Sequence, residues 1–182
     1  MNIILIPGTW ANTGRNAPQD EWWHPTSAFS KALRQKGHSI CSFPWDTKLD
    51  GIVGPNSEWI KAGINLGLIC PRNAIIIAHS HGGQVASYAA ANGLKINKLI
   101  TLATPVRADV PYDLAKKHIN TWTHVYGYFD WVQVSGSLMD GKFQLFPRKM
   151  KYADKNIKIK VDHSNMHTVE TWDKYNLWRE LS

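Results

Sequence analysis

One serine stands where its hydroxyl could act as a nucleophile. Ser80 is flanked by His79 and His81 and followed by Gly82 and Gly83. It comes just after an apolar run of β-branched residues, Ile75 to Ile77. Behind it a helical pattern resumes, with Val85 and Ala89 on one face and Gly93 at the C-terminal stop. At such a strand–helix junction a hydroxyl is lifted out of the sheet and held at a helix N-terminus. The free N–H groups and the dipole there favour a developing negative charge. Small residues at Ala78 and Gly82 permit the tight turn this requires. Read alone, the pentapeptide equally fits a strand, a loop and a helix with an ordinary serine N-cap.

The stretch Ala78-His79-Ser80-His81-Gly82 follows the G-x-S-x-G nucleophile-elbow pattern with alanine at its first position. It resembles the elbow of α/β-hydrolases, in the Ala-x-Ser-x-Gly form of some small bacterial lipases. A serine hydroxyl is a weak nucleophile until an imidazole takes its proton, and a carboxylate must orient that imidazole. The resemblance implies the chain order serine, acid, histidine, with acid and histidine after successive later strands. Asp130 follows the strand-like stretch Thr121 to Gly127, and His163 follows Ile157 to Val161. They are therefore the expected orienting acid and base. Asp109, after the strand adjacent to the elbow, is the runner-up acid, and Asp162 should point away. His163 suits the base better than His167, which would already lie in the last helix.

An oxyanion hole needs preorganised backbone donors. The resemblance implies the N–H of His81 as one of them. The other is sought in Ile6-Pro-Gly-Thr-Trp10, which is similar to the His-Gly-Thr-Trp loop of some lipases, with Pro7 in place of the histidine. Thr9 N–H is the candidate. His79 is read as structural. Trp10, Trp22, Trp23, Trp45 and Trp131 fall in loops at strand ends or near these residues. Aromatic walls there suit an acyl chain or an aromatic ester, and Trp10 and Trp131 are the expected substrate contacts. His163 and His167 at i, i+4 would suit zinc, but no glutamate sits between them as a metalloprotease helix requires. Neither a metal centre nor a cofactor is expected.

Strands and helices must place these groups. Strands are expected at Asn2–Ile6, His38–Trp45, Ile75–Ile77, Lys98–Ala103, Thr121–Gly127 and Ile157–Val161. Helices are expected from Thr26 to Gly37, Ser57 to Ile69 (carrying Trp59, Ile60, Ile64 and Leu68), behind the elbow, from Tyr112 to His118, and from Met166 to Leu181. The stretch from Trp131 to Asn156 is the least regular, with a hairpin turn at Asp140-Gly141. The alternation points to a three-layer α/β/α arrangement around a mostly parallel sheet of about six strands. This is a minimal α/β-hydrolase fold without its initial antiparallel pair or a cap domain. One domain over 1–182 is the simplest organisation.

Composition narrows the rest. An apolar content of 43% argues against disorder. Two cysteines, Cys41 and Cys70, make no disulfide framework. The N-terminal residues lack a signal-peptide pattern, and no apolar stretch spans a bilayer, so a cytoplasmic setting is expected, release by lysis aside. The formal charge is +7, with basic residues concentrated from Lys142 to Lys160, yet no nucleic-acid-binding motif accompanies them. Two functions follow. One is a serine carboxylester hydrolase of esterase or lipase type acting on a small-molecule or lipid ester. The other is a non-catalytic module that binds an anionic polymer, a membrane surface or a protein partner through residues 142–160.

Overall fold

The computed structural model describes residues 1–9, 21–45, 58–127, 130 and 149–182. The chain runs β1 (Asn2–Ile6), α1 (Ala28–Gln35), β2 (Ser39–Ser42), α2 (Glu58–Ile69), β3 (Ala74–His79), α3 (Gly82–Ala91), β4 (Ile96–Leu102), α4 (Tyr112–Lys116), β5 (Ile119–Gly127) and β6 (Lys155–Ile159). A 3₁₀ turn (His163–Asn165), α5 (Val169–Lys174) and a second 3₁₀ turn (Leu177–Leu181) complete it. The strands form one sheet in the order β2-β1-β3-β4-β5-β6, and every pairing is parallel. The expected α/β/α architecture with six strands is what the described residues form.

Strand side chains alternate between two apolar layers, as the pleat dictates. On one face Ile3, Leu5, Ile75, Ile77, Ile100 and Leu102 pack with Phe29 and Leu33 of α1 and Trp172 of α5. On the other, Ile4, Ile6, Ile76 and Ala78 meet Trp59 and Leu66 of α2, Val85 and Ala89 of α3, and Ala115 of α4. Residues 74–79 are buried throughout, which is why the elbow strand reads as a continuous apolar run. Ser27 caps α1 by accepting from Ser30 N at 3.1 Å, and Gly37 ends it at φ +83°.

The chain leaves β1 for the edge strand β2 and then returns to β1's other side as β3. In parallel sheets a crevice opens where the strand order reverses, outside the carboxyl ends. Here Ile6 pairs with Ala78, so the segment after β1 and the elbow after β3 emerge side by side.

Three expectations need correction. The stretch Met166–Leu181 is not one helix: α5 covers Val169–Lys174, and Asn176 takes a left-handed conformation (φ 52°) before the second 3₁₀ turn. Asparagine tolerates that conformation, and the chain turns there. His167 therefore precedes the helix. In α2 the buried stripe is Trp59, Ala62, Gly63 and Leu66, while Ile64, Leu68 and Ile69 are exposed. Gly63 lies against Tyr88 and the Val85 carbonyl of α3, so small residues, not the large aliphatic ones, face the close helix–helix contact.

Of the basic segment, Lys142 and Arg148 lie outside the described residues, as does the expected turn at Asp140-Gly141. Two of the later lysines, Lys155 and Lys158, lie on β6. Among the described residues β6 is an edge strand, and Lys155 on it pairs with Glu180 at 2.6 Å. Lysines on an edge strand blunt its unpaired backbone groups. No helix among the described residues is long and apolar enough to cross a membrane.

Candidate active site

The elbow holds Ser80 in a conformation that side chains rarely adopt, with φ 51°. Such positions persist only where surrounding structure enforces them, at a cost of about 1–3 kcal/mol. Here Ser80 N donates to Leu102 O at 2.8 Å, and Gly83 N returns to Ser80 O at 3.0 Å. The segment after β1 presses against this turn. A Cβ on Gly8 would lie 2.7 Å from Ser80 Cβ, and one on Gly82 would lie 2.5 Å from Pro7 O. Both glycines are needed for close approach. The indole Nε1–H of Trp45 donates to Pro7 O at 2.8 Å and braces this loop from behind, where proline leaves no side-chain donor of its own.

Thr9 and His81 are brought face to face, Oγ1 to Nδ1 at 3.0 Å. No backbone hydrogen bond among the described residues uses the N–H of Thr9 or of His81. Thr9 and Ser80 line the same pocket.

Asp130 lies just beyond β5 and is 1% exposed. Both of its oxygens accept from His163 Nδ1, at 3.0 and 2.9 Å. With Nδ1–H so engaged, Nε2 of the neutral ring is left as a proton acceptor. Ser80 and His163 line one pocket of about 430 Å³, together with Pro7, Gly8, Thr9, Glu21, Trp22, Trp23, His79, Ser164 and His167. Among the described residues no hydrogen bond joins Ser80 Oγ to His163, a contact that commonly tightens only with substrate in place.

The competing acids are occupied elsewhere. Asp109 takes a two-pronged contact from Arg107 (2.9 and 2.6 Å), and that guanidinium holds its carboxyl below the usual range. Asp162 accepts from Asn165 N at 2.9 Å and caps the 3₁₀ turn, facing away. His167 stacks on Trp22, with centroids 5.0 Å apart, and burial together with neighbouring His163 holds it down to about 4. His81 is also held down to about 4, by burial and then by the Arg107 cation.

Trp22 and Trp23 line the pocket, whereas Trp45 is a buried brace. Trp10 and Trp131, the expected substrate contacts, lie outside the described residues. The sequence reads His79 as structural, without a partner. It is not merely packed: its Nε2 lies 2.9 Å from the carbonyl oxygen of His163. Nothing in the sequence signals a contact across 84 positions, because the residue beside a nucleophile has no fixed partner. Glu21 and Ser164 likewise reach the pocket without a local motif. Among the described residues no cluster of three or more His, Cys, Asp or Glu could hold a metal ion.

No protein-family model and no curated protein matches the chain. Solved structures do. The chain is similar to an extracellular α/β-hydrolase from a Paenibacillus species, at a TM-score of 0.60 and 12% identity, over 98% of this chain and 97% of that one. It is similar to a methylesterase from Arabidopsis, at a TM-score of 0.57 and 14% identity, over 100% and 98% of the two chains. A thioesterase domain from the curacin biosynthetic pathway aligns at a TM-score of 0.57 and 12% identity, over 100% and 90%. The fold is that of the α/β-hydrolases.

Proposed function

We propose that the protein is a serine hydrolase that cleaves carboxylic esters through an acyl-enzyme. The observation that carries this reading is the buried Asp130–His163 pair, whose imidazole opens into the same pocket as the strained Ser80. Similarity in fold to esterases and to a thioesterase domain supports it.

In the proposed reaction His163 Nε2 takes the Ser80 proton as Oγ attacks the acyl carbonyl, and a tetrahedral oxyanion forms. Asp130 stabilises the resulting imidazolium and holds the ring in orientation without taking its proton. The N–H groups of Thr9 and His81 receive the oxyanion, each worth roughly 10²–10³ in kcat where such donors have been removed. The imidazolium then protonates the leaving alcohol. Water attacks the acyl-enzyme with His163 again as base, and the acid is released. Trp22 and Trp23 form the apolar wall against which an acyl or alcohol group rests. Thioesters and amides would pass through the same steps.

A fluorophosphonate probe tests the reading. Stoichiometric labelling that maps to Ser80 and disappears in Ser80→Ala is the expected result, and an unlabelled wild-type protein would overturn it. p-Nitrophenyl esters of graded chain length, run beside a matched thioester, then define the acyl group and the leaving atom.

A further inference from the structure

We infer that His79 is a positioning residue for the base, acting through the main chain of His163. This rests on the reading of His163 as the base.

The turn carrying His163 is capped by Asp162, which accepts from Asn165 N at 2.9 Å. It leaves edge strand β6, and Asp162, Ser164 and Asn165 are exposed. Two side-chain donors from the interior anchor it by its carbonyl groups. Trp172 Nε1–H donates to Met166 O at 3.1 Å, and His79 Nε2 lies 2.9 Å from His163 O. A carbonyl only accepts, so Nε2 of His79 carries the hydrogen and its tautomer is fixed. Of the two anchors, only the one from His79 acts on the residue that must meet both Asp130 and Ser80. It also ties the base directly to the strand bearing the nucleophile, because His79 precedes Ser80 in the chain.

The surroundings of His79 suit this task. It is 8% exposed, with its ring centroid 4.7 Å from that of His163 and 4.9 Å from that of His167. His167 in turn is clamped on Trp22. His79 therefore cannot swing away without displacing a packed aromatic stack. It must also stay neutral, since a second cation beside His163 would oppose formation of the imidazolium. Burial keeps it so, lowering its pKa well below the usual histidine value, with the nearby His167 and His163 adding to the effect. A displacement of about 1 Å at a reacting group can cost on the order of 10² in rate, so a hydrogen bond that fixes the base's backbone has a large effect to exert.

His79→Gln, His79→Asn and His79→Leu separate positioning from packing. Glutamine reaches the carbonyl with its amide where the imidazole Nε2 stood, asparagine is too short, and leucine fills space without donating. On a p-nitrophenyl ester the expected result for Leu and Asn is a kcat lower by roughly 10- to 100-fold with KM within about twofold. Gln should stay within about fivefold of wild type. In proton NMR, the downfield resonance of the imidazole N–H shared with a carboxylate, absent in Asp130→Asn, should broaden or vanish in Leu and Asn and persist in Gln. Near-native kcat in Leu and Asn, or Gln as impaired as Asn, would overturn the inference. If Leu does not fold, the Gln–Asn pair decides alone. Failure of the underlying reading has a different signature, in which His163→Ala retains activity while the NMR resonance still follows the His79 series.

Discussion

The Thr9 hydroxyl and the His81 imidazole, 3.0 Å apart, tie the loop after β1 to the elbow after β3. Their side chains bond to each other, and their backbone N–H groups are the ones proposed to receive the oxyanion. The remaining ring nitrogen, His81 Nε2, is buried without a hydrogen bond among the described residues, and the ring packs edge-on to Trp45 with centroids 5.6 Å apart. The segments carrying the two proposed donors are thus joined by a contact distinct from the N–H groups themselves.

Thr9→Val keeps shape and removes that contact. We expect kcat to fall about tenfold with KM little changed, less than the loss for removing a donor outright. Thr9→Ser should restore most of it. Steady-state kinetics on one ester suffices, and a Val variant as fast as wild type would show that the side-chain bond is idle.

The two acids should separate cleanly. Asp130→Asn leaves a buried amide against His163 and favours the wrong tautomer, so a loss of roughly 10³–10⁴ in kcat is expected. Asp109→Asn breaks only the contact with Arg107, and activity should stay within about threefold. The reverse ranking would make Asp109 the functional acid.

Strain at Ser80 gives a stability prediction. Ser80→Gly removes both nucleophile and strain, whereas Ser80→Ala removes the nucleophile alone. Both variants should be inactive, but the glycine variant should be more stable than the alanine variant by about 1 kcal/mol in urea unfolding. Equal midpoints would mean that the turn costs nothing.

Stability should fall on mild acidification. His81 and His167 are held down to about 4, and His79 is also lowered, all chiefly by burial. The unfolded chain therefore binds protons first, between its histidine value of 6.5 and about 4. The stabilisation is complete above pH 6.5 and declines toward pH 4, with each group adding a slope on the order of 1 kcal/mol per pH unit. Calorimetric Tm across this window should show the decline, and His167→Phe should make it shallower. An unchanged slope in that variant would place the acid sensitivity elsewhere.

Much of this arrangement was legible in the sequence, for identifiable reasons. The elbow strand is buried on both faces, so its apolar run stands out. Asp130 and His163 are reached by combining the strand ends with the serine, acid, histidine order that the resemblance implies. Legibility ended where tertiary contact overrode local pattern. In α2 the conspicuous aliphatics Ile64 and Leu68 face outward, because Gly63 is where α3 comes close. The last helix breaks at Asn176, which no hydrophobic period marks. His79 lies beside the serine in sequence, yet what it does is decided by a carbonyl 84 residues away.

The sheet order has a further consequence for how the site comes apart. The proposed nucleophile and candidate oxyanion loop belong to β3 and β1 in the middle of the sheet, while His163 hangs from β6, which among the described residues is hydrogen-bonded along one side only. Edge elements open with lower free energy than central ones. Fraying of that single strand would withdraw the base while the rest of the sheet stays paired. On warming, turnover should fade before circular dichroism changes, and reversibly on cooling. The machinery would behave as a latch with its weak hinge at the rim.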